Sequence, residues 1–395
     1  MKILEAVPYF YPAWAYGGPA KLVYDTCQYF VDQGHQVTVF TSDAYDEHKR
    51  MPESLRIKKT KQLNIIYFRN IFNRLTYKYN IFCAPGLFLR TIWLVPQVDV
   101  IHLHDFYTPH NLWMAIVAAI LYKPYVISVH GCLEAERIAQ RSLFKKVFLA
   151  GGGRWLLQNA EKVIATSENE VAAYLDYGVK NERITFLGHG INPAEFQSKL
   201  TRDEARKSWN LPMKDIVITF LGRIHKIKGL DLLVQAISLI PSKRVTFIIA
   251  GTDDGYLDEL NKLIKKIQVK NITLFGACFG TRKADLFKAS DVFVYPSYSE
   301  GFSLGILEAG AAGLPLVITT GCHFEEVEKT GSGLVVQPNA NDLAKALQRM
   351  IESPIIRRTS SQQIRKLITQ KYSMATIGNT LLEIYQSVLK KQVAS

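Results

Sequence analysis

The chain has 395 residues, a net charge of +13, 48% hydrophobic and 21% charged residues. That length exceeds one ordinary hydrophobic core, and the composition excludes a disordered or fibrous chain, so two globular domains are expected. No apolar run is long enough to cross a bilayer, and the longest, 112–122, reads as a buried helix. Glu5 and Pro8 argue against a signal peptide. The five cysteines are scattered without a C-x-x-C pair, which reads as reduced thiols in a cytoplasmic protein.

A first strand is predicted over 3–7, followed by Tyr16-Gly17-Gly18-Pro19 and a helix with Pro19 at its first position and Gly34 as its stop. Further strands are predicted over 37–40 and 65–68. Between 54 and 98 there is no Asp or Glu, while Arg56, Lys58, Lys59, Lys61, Arg69, Arg74, Lys78 and Arg90 alternate with aromatic residues. That mixture suits an anionic membrane surface. No nucleic-acid motif accompanies it, so nucleic acid is not an expected partner.

Strands over 98–102, 125–128, 162–166 and 184–187 complete the first half. His102-Leu103-His104-Asp105 and Val129-His130-Gly131 follow two of them. Alternation puts His102 and His104 on one face. No spaced third ligand is evident, so no metal is expected, and His104 is placed on the acceptor side. The first domain is assigned to 1–195 and a polar linker to 196–214. The second domain is assigned to 215–373, and a final helix over 374–389 is expected to pack back on the first domain.

The second half has strands over 216–221, 245–250, 272–275, 292–295, 316–319 and 334–336, alternating with helices, so parallel sheets are expected in both domains. Open parallel sheets bind ligands beyond the carboxyl ends of their strands. After the first strand of this half comes Gly222-Arg223-Ile224-His225-Lys226-Ile227-Lys228-Gly229, whose Arg223 and Lys228 suit a diphosphate. After 292–295 comes a loop carrying Glu300, Gly301 and Ser303. A helix then begins at Leu304, with Glu308 about one turn in. First-turn N–H groups bind anions, and two carboxylates beside them suit hydroxyls.

In order, Gly17-Gly18, His130-Gly131, Gly222-Arg223…Lys228-Gly229 and Glu300…Glu308-Ala309 resemble the motifs of the family 4 (group 1) retaining glycosyltransferases. The resemblance extends along essentially the whole chain. It implies the GT-B fold: two Rossmann-like α/β domains with parallel sheets facing an inter-domain cleft. It also implies transfer of a hexosyl group from a UDP-sugar, or a GDP-sugar, to the hydroxyl of a glycan or lipid-linked acceptor. Configuration would be retained and no metal or other cofactor required, in surface polysaccharide, lipopolysaccharide or glycolipid synthesis. By the same resemblance, Arg223 and Lys228 hold the diphosphate, with Gly17, Gly18, Gly301, Ser303 and Leu304 helping. Glu308 holds the ribose, and Glu300 and His130 stand at the reacting sugar. The expected location is the inner face of the cytoplasmic membrane, peripherally bound. A sugar-nucleotide epimerase and a non-catalytic nucleotide-sugar-binding subunit are the alternatives. The departures are His189 in place of an asparagine, Gly310 in E-A-G-A, and an altered segment holding Glu325 and Glu326.

Overall fold

The computed structural model describes residues 1–16, 18–79, 82–133, 142–241 and 244–394. The chain divides into two compact units: Met1–Gly190 with Met374–Ser395, and Ile191–Ser373.

The first unit is built on a parallel sheet of seven strands: β1 Lys2–Ala6, β2 Gln36–Ser42, β3 Leu63–Phe68, β4 Val100–His104, β5 Tyr125–Ser128, β6 Lys162–Ala165 and β7 Ile184–Phe186. Their order is β3-β2-β1-β4-β5-β6-β7. Parallel strands covered on both faces read as near-continuous apolar runs, which is why the sequence marks them clearly. β4 extends two residues beyond the predicted span, so His104 lies within the strand and Asp105 turns the chain at φ 70. The helix Pro19–Asp32 buries Val23, Cys27 and Phe30 on the sheet. The helix Met374–Ala394 covers the same face, its Ile377, Leu381 and Tyr385 joining Ile3, Val23 and Phe30 in one cluster. Gly378 lets that helix approach: a Cβ there would stand 2.3 Å from the Tyr29 ring. The apolar run 112–122 forms the end of the helix Pro109–Ile120, but its last turn is not buried, because Ile120 and Tyr122 are exposed to solvent.

The second unit has a six-stranded parallel sheet: β8 Ile216–Leu221, β9 Val245–Ala250, β10 Ile272–Phe275, β11 Val292–Tyr295, β12 Leu316–Thr319 and β13 Gly333–Val336. The order β10-β9-β8-β11-β12-β13 repeats the plan of the first sheet. Residues 196–214 are not a free linker. They belong to the second unit, where the helix Arg202–Ser208 is opened by a capping box between Thr201 and Glu204. Ala205, Trp209 and Leu211 are buried there. The Arg206 guanidinium is also buried, donating to Asp291 Oδ2 at 2.7 Å and to the carbonyls of Pro212 and Met213 at 2.9 Å. A buried charge with a carboxylate partner and satisfied N–H groups fixes a segment in place.

Candidate active site

In each sheet the strand order reverses direction at one place, between β1 and β4 and between β8 and β11. Ligands of open α/β sheets bind at that point.

In the second unit, β8 leads into Gly222 and Arg223, and β11 into Ser297 and Glu300. Hydrogen bonds join the two loops. The Ile227 carbonyl accepts from Tyr298 N and Ser297 Oγ, each at 2.8 Å. Gly229 sits at φ 63, and a Cβ there would fall 2.0 Å from the Pro296 carbonyl oxygen, so conformation and space both demand glycine. This close approach carries Lys228 to Glu300, whose Oε1 accepts from both the Lys228 ammonium and Ser297 Oγ. Burial alone would lower the Lys228 ammonium, but Tyr295 and Glu300 outweigh it and hold it above the ordinary lysine range. Arg223 is more exposed and pairs with Asp254 at 2.5 Å.

Ser303 caps the helix Leu304–Ala312 without a side-chain bond to its first turn, which also lacks an acid. The first-turn N–H groups and the positive end of the helix dipole therefore remain a site for an anion, with Gly301 in the loop before it. Inside that helix, Glu308 receives Lys283 Nζ at 2.8 Å on each carboxylate oxygen. Glu326 is tied to Tyr372 and Lys371.

In the first unit, Gly18 caps the helix Pro19–Asp32, and its carbonyl accepts from Lys21 N and Leu22 N at 3.1 Å. Gly17 lies outside the described residues. His130 follows β5 in the left-handed region, φ 51, and Gly131 continues it at φ 78. Such a turn persists when its surroundings hold it. Here Glu170, fully buried, accepts from Gly131 N, and its other oxygen accepts from Thr166 N at 2.6 Å and Thr166 Oγ at 2.8 Å.

Behind His130 lies a buried polar chain. His130 Nε2 is 3.0 Å from His104 Nδ1, and His104 Nε2 is 2.6 Å from Glu5 Oε2. Tyr385 Oη donates to Glu5 Oε1 at 3.2 Å and lies 2.6 Å from His102 Nδ1, while His102 Nε2 meets Ser128 Oγ at 2.8 Å. Both ring nitrogens of His104 are thus committed, and it lines the cavity beside His130. Burial pushes the Glu5 carboxyl up to about 8 and the imidazoles of His104, His130 and His189 down to about 3. His130, His189, Ser128 and Thr166 border a cavity of about 40 Å³, room for water-sized groups.

A third ligand for a metal at His102 and His104, not evident from spacing, is supplied by Glu5 on the adjoining strand, paired in register with His102. The 2.6 Å separation of His104 Nε2 and Glu5 Oε2 is that of a hydrogen bond. Two ligands sharing a metal at about 2.0 Å each stand farther apart at a tetrahedral angle.

Glu5, Glu170, Lys283 and Tyr385 were not singled out by sequence. Glu5 carried the clearest signal, an acid inside a continuous apolar strand. Glu170 stands three residues after Ser167, a capping pattern, and its carboxylate is used across the site instead.

Residues 16–195 match the model of Glycosyltransferase Family 4, and residues 201–367 that of Glycosyl transferases group 1. The chain belongs to this family of glycosyltransferases and is an enzyme of that class. It is 26% identical over 398 residues to an uncharacterized glycosyltransferase, MJ1607, of Methanocaldococcus jannaschii, spanning 99% of each chain. It is 32% identical over 254 residues to the lipopolysaccharide core biosynthesis mannosyltransferase LpsB of Rhizobium meliloti, spanning 61% of this chain and 69% of LpsB. The solved Anabaena protein Alr3699/HepE, in complex with UDP, superposes with a TM-score of 0.78 at 21% identity, over 98% of this chain and 100% of that one. The fold is GT-B.

Proposed function

We propose that the enzyme moves a hexosyl group from a nucleotide-sugar, with UDP the favoured nucleotide and GDP the alternative, to a hydroxyl of a glycan or lipid-linked acceptor, with retention of configuration. The observation that carries this reading is the meeting of Lys228 and Glu300 at the reversal point of the second sheet, beside the helix start at Ser303, whose first turn takes no side-chain bond from its cap.

In this reading, Arg223, Lys228 and the N–H groups at Gly301, Ser303 and Leu304 neutralise the charge that develops on the departing diphosphate. Gly18, with Gly17, supplies backbone N–H groups to the distal phosphate. Glu308, oriented by Lys283, accepts from the ribose hydroxyls, and Glu300 accepts from those of the donor sugar. Glu300 positions the sugar; the leaving phosphate takes the acceptor proton. His130 stands at the sugar. These groups supply electrostatic stabilisation and orientation, so no metal is invoked. The UDP held by Alr3699/HepE favours uridine, and LpsB, a lipopolysaccharide mannosyltransferase, favours a surface-glycan acceptor.

The acceptor would be met at an anionic membrane, as a peripheral protein on its cytoplasmic side. Within 54–98, Phe68 and Phe82 are core residues, whereas Phe72, Tyr77, Leu89 and Trp93 are exposed, Trp93 by 72%. Leu89 and Trp93 share the helix Gly86–Leu94, which is joined to the helix Pro109–Ile120 by Trp113 Nε1 donating to the Phe88 carbonyl at 3.0 Å. With Arg90 exposed on the same helix, this face suits headgroups and acyl chains together. Among the described residues no helix is long and apolar enough to cross a membrane.

The test is nucleoside diphosphate release from a panel of UDP- and GDP-sugars, with lipid-linked and free glycans as acceptors. Release that needs both substrates and disappears in Glu308→Ala and Arg223→Ala supports the reading. Donor binding without release would indicate a binding subunit, and donor isomerisation without acceptor an epimerase.

A further inference from the structure

Glu5 is fully buried in β1, an interior strand of the first sheet beside its reversal point, and its surroundings are defined on every side. β4 presents His102 and His104, the helix Met374–Ala394 presents Tyr385, and the helix Pro19–Asp32 brings Cys27 within electrostatic reach. From this carboxyl a continuous line runs through both nitrogens of His104 to His130 Nε2. The planes of the two rings at its far end lie 9° apart, as a bond in the plane of both rings requires. The line ends at His130 Nδ1, which is buried and has no hydrogen-bond partner among the described residues.

We infer that Glu5 and His104 are positioning residues that fix the tautomer of His130, holding its hydrogen on Nδ1 so that the ring donates to an oxygen of the bound donor. The inference rests on the reading of His130 as a group at the donor sugar.

A neutral imidazole has one N–H and one lone pair, so whichever nitrogen is engaged as acceptor determines the role of the other. Glu5 is shut away from water, and this loss of solvation, only partly offset by the bond from Tyr385, raises its carboxyl to about 8, so it keeps its proton at neutral pH. An imidazole nitrogen accepts that proton's hydrogen bond better than a phenol oxygen does, and the 2.6 Å contact is with His104 Nε2. The hydrogen of His104 is then on Nδ1 and donates to His130 Nε2. The hydrogen of His130 is therefore on Nδ1. Glu5 Oε1 keeps its lone pairs for Tyr385 Oη, so among the described residues every polar atom of the line is satisfied except the buried His130 Nδ1 at its end. Ionised Glu5 would reverse each bond and leave His130 Nδ1 an acceptor. The line holds the ring while Glu170 holds the backbone beneath it, which is how outer groups orient a reacting imidazole.

The test combines nitrogen NMR of the full-length, ¹⁵N-histidine-labelled protein with kinetics of Glu5 variants. At pH 7 His130 is expected to show a protonated, pyrrole-type Nδ1 and a pyridine-type Nε2, assigned by loss of the signals in His130→Ala. Glu5→Leu is expected to lower kcat/KM by roughly tenfold or more while leaving the Kd of UDP unchanged. Glu5→Gln restores most of that loss, because its amide N–H donates to His104 Nε2 as the protonated acid does. A pyridine-type Nδ1 in the wild-type protein overturns the inference, as does Glu5→Gln being as impaired as Glu5→Leu. The NMR result is readable whether or not any donor is turned over, so failure of the functional reading and failure of this one are distinct. It also stands if Glu5→Leu does not fold.

Discussion

Lys283 Nζ stands 2.8 Å from both carboxylate oxygens of Glu308, joining the helices Gly280–Ala289 and Leu304–Ala312. A carboxylate offers about four lone-pair sites, so lysine fixes its plane and still leaves room for two hydroxyls. Glu308→Ala should therefore weaken UDP binding by about ten- to hundredfold, the worth of charge-assisted hydrogen bonds. Lys283→Met should weaken it less, by roughly three- to tenfold, because the carboxylate remains but can turn. Titration calorimetry measures both.

Lys228 and Glu300 form a pair in which each side chain is only 10% exposed. Removing one partner strands the other, at about 3–5 kcal/mol for a buried pair. Lys228→Ala and Glu300→Ala should each destabilise the ligand-free protein, and the double variant should be more stable than the sum of the two losses implies. Denaturant titration checks this. For activity, Lys228→Ala should lower kcat by about 10²–10³, as removal of one charge-stabilising group does.

The buried titratable groups predict a stability maximum. Glu5 titrates at about 8 against 4.5 for the ordinary carboxyl, so between those values the native state holds the extra proton and stability falls as pH rises. His104, His130 and His189, at about 3, and His110, at about 4, are shifted the other way from 6.5. Below 6.5 the unfolded chain therefore binds more protons at these sites, and stability rises with pH. Four imidazoles outweigh one carboxyl in the acid range. The melting temperature should climb with pH up to about 6.5 and decline from there to about 8, and Glu5→Gln should remove the decline. Scanning calorimetry across that range decides.

Glu170 bridges the His130-Gly131 turn to Thr166. Glu170→Ala should leave buried N–H groups unpaired, at about 1–3 kcal/mol each, and release a strained turn. The melting temperature should drop and kcat should fall, with the Kd of UDP unchanged. Gly131→Ala should act in the same direction, because Gly131 sits at φ 78.

Trp93 and Leu89 are exposed side chains of one helix. Vesicles containing anionic lipid should shift Trp93 emission to the blue and sediment the protein; Leu89→Asp should weaken both effects, and adding Trp93→Asp should abolish sedimentation. Neutral vesicles should bind more weakly, and added salt should weaken binding to anionic ones. Equal binding to neutral vesicles would contradict an electrostatic contribution.

Much of this architecture was legible because covered parallel strands are apolar runs such as Ile216–Leu221 and Val245–Ala250, each followed by glycine. The loops after β8 and β11 were legible for the same reason: a strand end followed by glycine and charge points at a site. What escaped was contact across the sequence. Glu5 meets His104, 99 residues away, only because β1 and β4 are neighbours, and meets Tyr385, 380 residues away, only because the last helix returns to that sheet. The 196–214 segment reads as a linker because its surface is polar, while Trp209 and Leu211 face inward and Arg206 is buried by its partners. The Thr201…Glu204 capping box was the overlooked cue there.

The central claim is that the second unit holds a nucleoside diphosphate between its basic loop and the helix Leu304–Ala312. A crystal structure of the protein soaked with UDP tests it most directly. The expected result is a diphosphate on Arg223, Lys228 and the first-turn N–H groups at Ser303 and Leu304, with both ribose hydroxyls on Glu308. UDP bound without contact to Lys228 and Glu308 would contradict it.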